Sequence, residues 1–175
     1  MKHVILIITM LFLSFLTFSQ TPDKQVINKS KNTTQTRIYK TPKYTMTSFI
    51  EKFDSLTFEL MIEYDIPRSV MLGISMHESA YGNSQLSREK HNFFGIKKDG
   101  VYRSYDNDTE SFKDFCVYVS KKKYYKDLVI NKVTDYRIWM EKIRGGGYSE
   151  SPTWMNQVIS YINKYKLYEL DLEFV

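Results

Sequence analysis

Ser69 to Ser79 (SVMLGISMHES) is a helical stretch with almost no charge, lying between Pro67, which suits a helix's first turn, and the interruption Tyr81-Gly82-Asn83. A helix without a polar face must be surrounded by protein, so the rest of the chain has to wrap around this segment. Met71, Ile74 and Glu78 recur at spacings of three and four, which puts a carboxylate on an otherwise apolar stripe near the helix C-terminus. Desolvation and the negative end of the helix dipole both disfavour the ionised form there. A carboxyl held protonated near neutral pH is what a general acid requires. The competing reading is a structural network in which Glu78 pairs with His77 or Arg88.

At 175 residues with 42% apolar content, the chain can bury one core of ordinary size. Residues 1–19 read as an export signal: Lys2, an apolar run from Val4 to Phe18, then Ser19 and Gln20 near the expected cleavage site. The run is shorter than the roughly 20 residues needed to span a bilayer, so no stable membrane anchor is expected after cleavage. The expected location is secreted or periplasmic. Residues 20–44 hold six basic residues against the single acid Asp23, whereas residues 45–175 hold 18 basic and 19 acidic ones. The positive charge therefore belongs to a polar linker, and a nucleic-acid partner is not expected. The folded part is expected to span residues 45–170 and to act as a monomer, with a short tail at 171–175.

Cys116 is the only cysteine, which excludes an intramolecular disulfide. It falls at helical spacing among Phe112, Phe115 and Val119, a core position. His77 and His91 lie in no ligand motif, so neither metal nor cofactor is expected.

The remaining pattern is mainly helical with one small hairpin. Phe49, Ile50, Phe53, Leu56, Leu60 and Met61 mark a first helix ending near Tyr64-Asp65. Asp99-Gly100 separates the β-prone runs 94–98 and 101–105, a hairpin pattern. Asp108 or Thr109 is expected to cap the helix that buries Phe112, Phe115, Cys116 and Val119. Asp135 caps another with Ile138, Trp139 and Ile143 inward, and Gly145-Gly146-Gly147 ends it. Ser151-Pro152 starts the last helix, with Met155, Ile159, Ile162 and Tyr165 on one stripe and Trp154, Val158 and Tyr161 on the next.

Several segments, in order, resemble one family. The buried helix ends His77-Glu78-Ser79 and is followed by Tyr81-Gly82-Asn83-Ser84-Gln85-Leu86, Asn92-Phe93-Phe94-Gly95-Ile96-Lys97 and Tyr102-Arg103-Ser104-Tyr105. Glu110-Ser111-Phe112-Lys113-Asp114-Phe115 and Gly146-Gly147-Tyr148-Ser149 before Pro152 continue the pattern. Together, over roughly residues 48–168, they resemble the bacterial peptidoglycan N-acetylglucosaminidases of glycoside hydrolase family 73. The resemblance implies a lysozyme-like, mainly α fold and hydrolysis of the β-1,4 bond following N-acetylglucosamine in wall glycan. It matches Glu78 to the catalytic acid and Tyr148 to a cleft tyrosine.

Many members of that family carry a further acid in a longer hairpin region. Here only Lys97-Lys98-Asp99-Gly100 stands at that place, which makes Asp99 the positional candidate, although a turn aspartate has a structural reason to be there. Tyr81, Asn92, Phe94, Tyr102 and Tyr105 lie in segments expected to contact sugar, with Asn92 also suited to bracing the hairpin turn. Two other readings stay open from sequence: a lytic transglycosylase using one glutamate, and a noncatalytic module that binds wall glycan.

Overall fold

The structure, a computed structural model, describes residues 41–174. The expected export signal and all but the last four residues of the expected linker lie outside the described residues. Those last four residues join the folded part: the Asn83 side chain accepts from the Lys43 and Tyr44 amides at 2.6 and 3.2 Å and donates to the Tyr44 carbonyl at 2.8 Å.

Helix α1 (Met46–Tyr64) begins with a reciprocal capping box between Thr45 and Ser48 and buries Phe49, Phe53, Thr57 and Leu60. Left-handed Asp65 ends it, and the chain turns through buried Ile66 into α2 (Arg68–Ser79). Every residue of α2 from Arg68 to Met76 is buried, as the lack of charge from Ser69 onward requires. Gly73 allows a close approach. A side-chain carbon there would stand 2.6 Å from Ile162 Cγ1, so only glycine lets α7 (Trp154–Lys164) press onto the buried helix.

Pro67, at the N-cap of α2, offers no capping side chain. The cap comes instead from far along the chain. Asp171, in a 3₁₀ helix spanning Leu167–Phe174, accepts from the Ser69 amide at 2.9 Å and the Ser69 hydroxyl at 2.5 Å. Buried Arg68 beside it pairs with Asp54 of α1 and donates to the Leu170 carbonyl at 3.2 Å. The 3₁₀ helix thus runs across the expected boundary at residue 170.

After α2, Ala80, Tyr81 and Gly82 all take positive φ and reverse the chain into the short helix α3 (Gln85–Lys90). The hairpin is present but brief: β1 (Lys97–Lys98) pairs antiparallel with β2 (Val101–Tyr102). Asp99 (φ 52°) and Gly100 (φ 79°) form its two-residue left-handed turn. Helix α4 (Asp108–Ser120) is capped by Asn107, which accepts from the Glu110 amide at 3.0 Å, one residue earlier than the expected Asp108 or Thr109. Asp108 instead pairs with His91 at 2.6 Å.

Helices α5 (Tyr125–Ile130) and α6 (Tyr136–Gly145) follow, the latter capped by Asp135 as expected. The inward stripe of α6 is Tyr136, Trp139, Met140 and Ile143, and Ile138, expected inside, is 39% exposed. A layer of phenylalanines joins α1, α4 and the segment before the hairpin. Phe53 stacks on Phe112 at 4.6 Å and Phe94 on Phe115 at 4.2 Å. Each buried ring contributes about 1.5–3 kcal/mol by its transfer from water. Among the described residues no helix is long and apolar enough to cross a membrane, and no group of three His, Cys, Asp or Glu could hold a metal ion.

Candidate active site

The end of α2, the strands and the loop after α6 enclose a cleft of about 500 Å³. Glu78 stands in its wall with Tyr102, Tyr118, Tyr148 and Glu150. Its carboxyl is held from two sides. Trp154 Nε1, in the first turn of α7, donates to Glu78 Oε1 at 2.7 Å. The second oxygen lies against Gly95, where a side-chain carbon would come within 3.3 Å of Oε2. Gly95 has φ 64°, so both its conformation and the closeness of the carboxylate call for glycine.

Burial pushes the Glu78 carboxyl above its ordinary pKa, and the Trp154 hydrogen bond and the nearby His77 pull only partly the other way. Desolvation dominates, as the position of Glu78 on an apolar stripe suggests.

Tyr148 is placed beside this carboxyl and braces it indirectly. Its hydroxyl donates to the Phe94 carbonyl at 2.8 Å, and its ring lies 5.1 Å from that of Trp154 and edge-on to Phe115 and Tyr118. The bond fixes the Phe94-Gly95 peptide under Glu78. Burial, followed by the charge of Glu78, holds the Tyr148 phenol well above its ordinary pKa, so it is a neutral donor. Gly147, with φ 82°, lets the chain turn from α6 toward the cleft so that Tyr148 points inward.

The structure separates the other expected site residues into two groups. Tyr102, 44% exposed, and Phe94 line the cleft, although Phe94 is only 2% exposed and belongs mainly to the core. Tyr81, Asn92, Tyr105 and Asp99 are not in its lining. Asn92 is fully buried: its amide donates to the carbonyls of Ile96 and Arg103, both at 2.9 Å, and accepts from the Ile96 amide at 3.2 Å, so it clamps the base of the hairpin. The Tyr105 hydroxyl donates to Asp114 Oδ2 at 2.7 Å, and the Tyr81 ring packs edge-on against Tyr161 at 5.5 Å. Asp99 occupies the exposed tip of the turn. The carboxylate that does share the cleft wall with Glu78 is Glu150, which the sequence had not singled out.

Trp154 lies in the core as its stripe predicts, and its bond to Glu78 is the part the spacing does not reveal. The available clue was its N–H, a donor that needs a partner once the ring is buried, while Glu78 was the acid lacking one.

A family model described as mannosyl-glycoprotein endo-beta-N-acetylglucosaminidase matches residues 55–167. The fold is similar to the catalytic domain of the autolysin Auto from Listeria monocytogenes, with a TM-score of 0.63 and 21% identity over 77% of this chain and 92% of that one. A peptidoglycan hydrolase from Sphingomonas sp. A1 gives a TM-score of 0.60 and 19% identity, covering 70% of this chain and 91% of its own. The C-terminally truncated glycoside hydrolase domain of FlgJ from Salmonella typhimurium gives 0.60 and 16%, covering 70% and 98%. At such identities the likeness speaks to the fold, which is lysozyme-like and mainly helical. No curated protein sequence matches the chain.

Proposed function

The chain belongs to the glucosaminidases of glycoside hydrolase family 73, and from that premise we propose that it hydrolyses the β-1,4 bond following N-acetylglucosamine in peptidoglycan strands, with Glu78 as general acid. The observation that carries the acid role is the carboxyl itself: desolvated, in a cleft wall, and hydrogen-bonded to Trp154 through Oε1.

That bond distinguishes the two oxygens. Oε1 accepts the indole N–H and so presents a lone pair there, which leaves Oε2 to carry the proton. In the reaction Oε2 gives its proton to the glycosidic oxygen as the bond from that oxygen to the anomeric carbon breaks. The carboxylate left behind is stabilised by the same Trp154 N–H, which favours the charged form. Water completes the hydrolysis at the anomeric carbon. Glu150 is the carboxylate in the cleft wall that can orient this water or offset the developing positive charge. Tyr148 keeps Phe94-Gly95 in register beneath the acid, and Tyr102 offers an exposed ring face to a sugar. Residues 1–19 support export to the envelope, where this substrate lies.

Mass spectrometry of fragments released from purified peptidoglycan tests the reading. The expected products are muropeptides ending in a reducing N-acetylglucosamine. Anhydro sugars would replace hydrolysis by transglycosylation, and wall binding without any released fragment would replace it by a noncatalytic role.

A further inference from the structure

Beside the Glu78 cleft lies a second groove of about 460 Å³ that shares Ile96, Lys97 and Tyr118 with it. Its lining brings together Lys97 and Lys98 of the hairpin with Lys121 and Lys122 after α4. Arg103 also lines it, but Arg103 is neutralised by Asp114, the one carboxylate in the groove, through bonds of 2.5 and 2.6 Å. Among the described residues none of the four lysines makes an ion pair. The charge is local, since residues 41–174 contain 19 basic and 19 acidic side chains.

Two of the ammonium groups are held by the walls of the cleft. Lys97 Nζ stands 4.6 Å from the centre of the Tyr102 ring, and Lys122 Nζ stands 4.2 Å from that of Tyr118 and 3.5 Å from the Gly146 carbonyl. A favourable helix C-terminus explains lysines at 121 and 122 but not the facing pair on the hairpin. Four like charges around one groove repel one another, and an anion relieves that repulsion.

We propose that this groove is a subsite for an anionic substituent of the glycan strand, namely the carboxylates of the peptide stem on a sugar next to the bond broken. The assignment rests on the reading of the Glu78 cleft as the glycan site, because the shared wall delivers the substituent only when a sugar chain lies in that cleft. The lysines act as point charges that tolerate variation in the stem, whereas bidentate arginine recognition would demand one carboxylate geometry.

The test compares Glu78→Gln protein, which holds strands without cutting them, with the same protein also carrying Lys98→Gln, Lys121→Gln and Lys122→Gln. Lys98 and Lys121 are exposed and Lys122 is half-buried, so the fold is retained. Binding is measured to purified strands with intact stems, to strands whose stems have been removed enzymatically, and to strands freed of attached phosphate polymer. The expected result is about tenfold weaker binding of stem-bearing strands by the lysine variant, steeper salt dependence for the unaltered groove, and equal binding of stem-free strands by both. Equal binding of all strands by both proteins would overturn the subsite, and so would a loss that follows the phosphate polymer instead of the stem. The hydrolase reading fails separately, by absence of released fragments with the unaltered protein while stem-dependent binding persists.

Discussion

Trp154 Nε1 lies 2.7 Å from Glu78 Oε1, and through this bond the first turn of α7 orients the carboxyl at the end of α2. The two residues are 76 positions apart in sequence. The same two helices pack closely at Gly73, where a side chain would meet Ile162 and Val158 of α7.

Trp154→Phe keeps the apolar packing and removes the donor. Hydrogen bonds to charged groups are worth about 1.5–3 kcal/mol, so kcat should fall about ten- to a hundredfold with KM little changed. The Trp154 bond lowers the Glu78 pKa, so its loss should also move the alkaline limb of the pH profile upward. A lower Tm with an unmoved limb would reduce Trp154 to packing.

Glu78→Gln should cost on the order of 10²- to 10⁴-fold in rate while the fold persists. Its stability carries a signed test as well. Because burial raises the folded pKa above the unfolded one, the native state holds a proton in that window that the unfolded chain has released. Native stability therefore falls as pH rises from the unfolded pKa through the raised folded value, and glutamine escapes this loss. Urea unfolding should show the variant gaining on the parent as pH rises above the ordinary carboxyl range, and a constant difference would mean that the carboxyl is not desolvated.

Glu150→Gln and Asp99→Asn separate the two candidate second carboxylates. Glu150 lines the cleft, and Asp99 sits at a turn tip that asparagine also suits. The expectation is a fall in kcat of at least about tenfold for Glu150→Gln and near-normal turnover for Asp99→Asn. The reverse ranking would hand the role to Asp99, and two normal variants would leave the substrate's acetamido group as the internal nucleophile.

Asp171→Ala should destabilise the protein by about 1 kcal/mol, the usual cost of a lost N-cap, because it strips the Ser69 amide and hydroxyl of their acceptor. Asp171→Asn, which keeps an acceptor, should cost less. Urea midpoints measure both, and an alanine variant as stable as the parent would mean that solvent caps α2 equally well.

The buried helix was legible because uncharged sequence and a three-and-four spacing leave few other folds, and the same spacing exposed Glu78 as out of place. The cap of α6 was legible at Asp135 itself, that of α4 only to within a residue. Asn107 and Asp108 are both cap formers, and the choice was made by His91, which claims Asp108 from 17 positions away. Ile138 was misread because α6 already has a sufficient stripe in Tyr136, Trp139, Met140 and Ile143. Asn92 suited both a sugar and the hairpin turn, and its bonds to Ile96 and Arg103 give it to the turn. Glu150 and the lysine groove were hidden for a different reason: their neighbours in space come from segments tens of residues away, and nothing local marks them.

The Asp171 cap on the start of α2 and the Trp154 bond at its end also set an order of events. A ribosome releases residue 78 long before residues 154 and 171 exist. Any nascent chain or fragment that stops ahead of them therefore lacks both the acceptor at the start of α2 and the donor that orients Glu78.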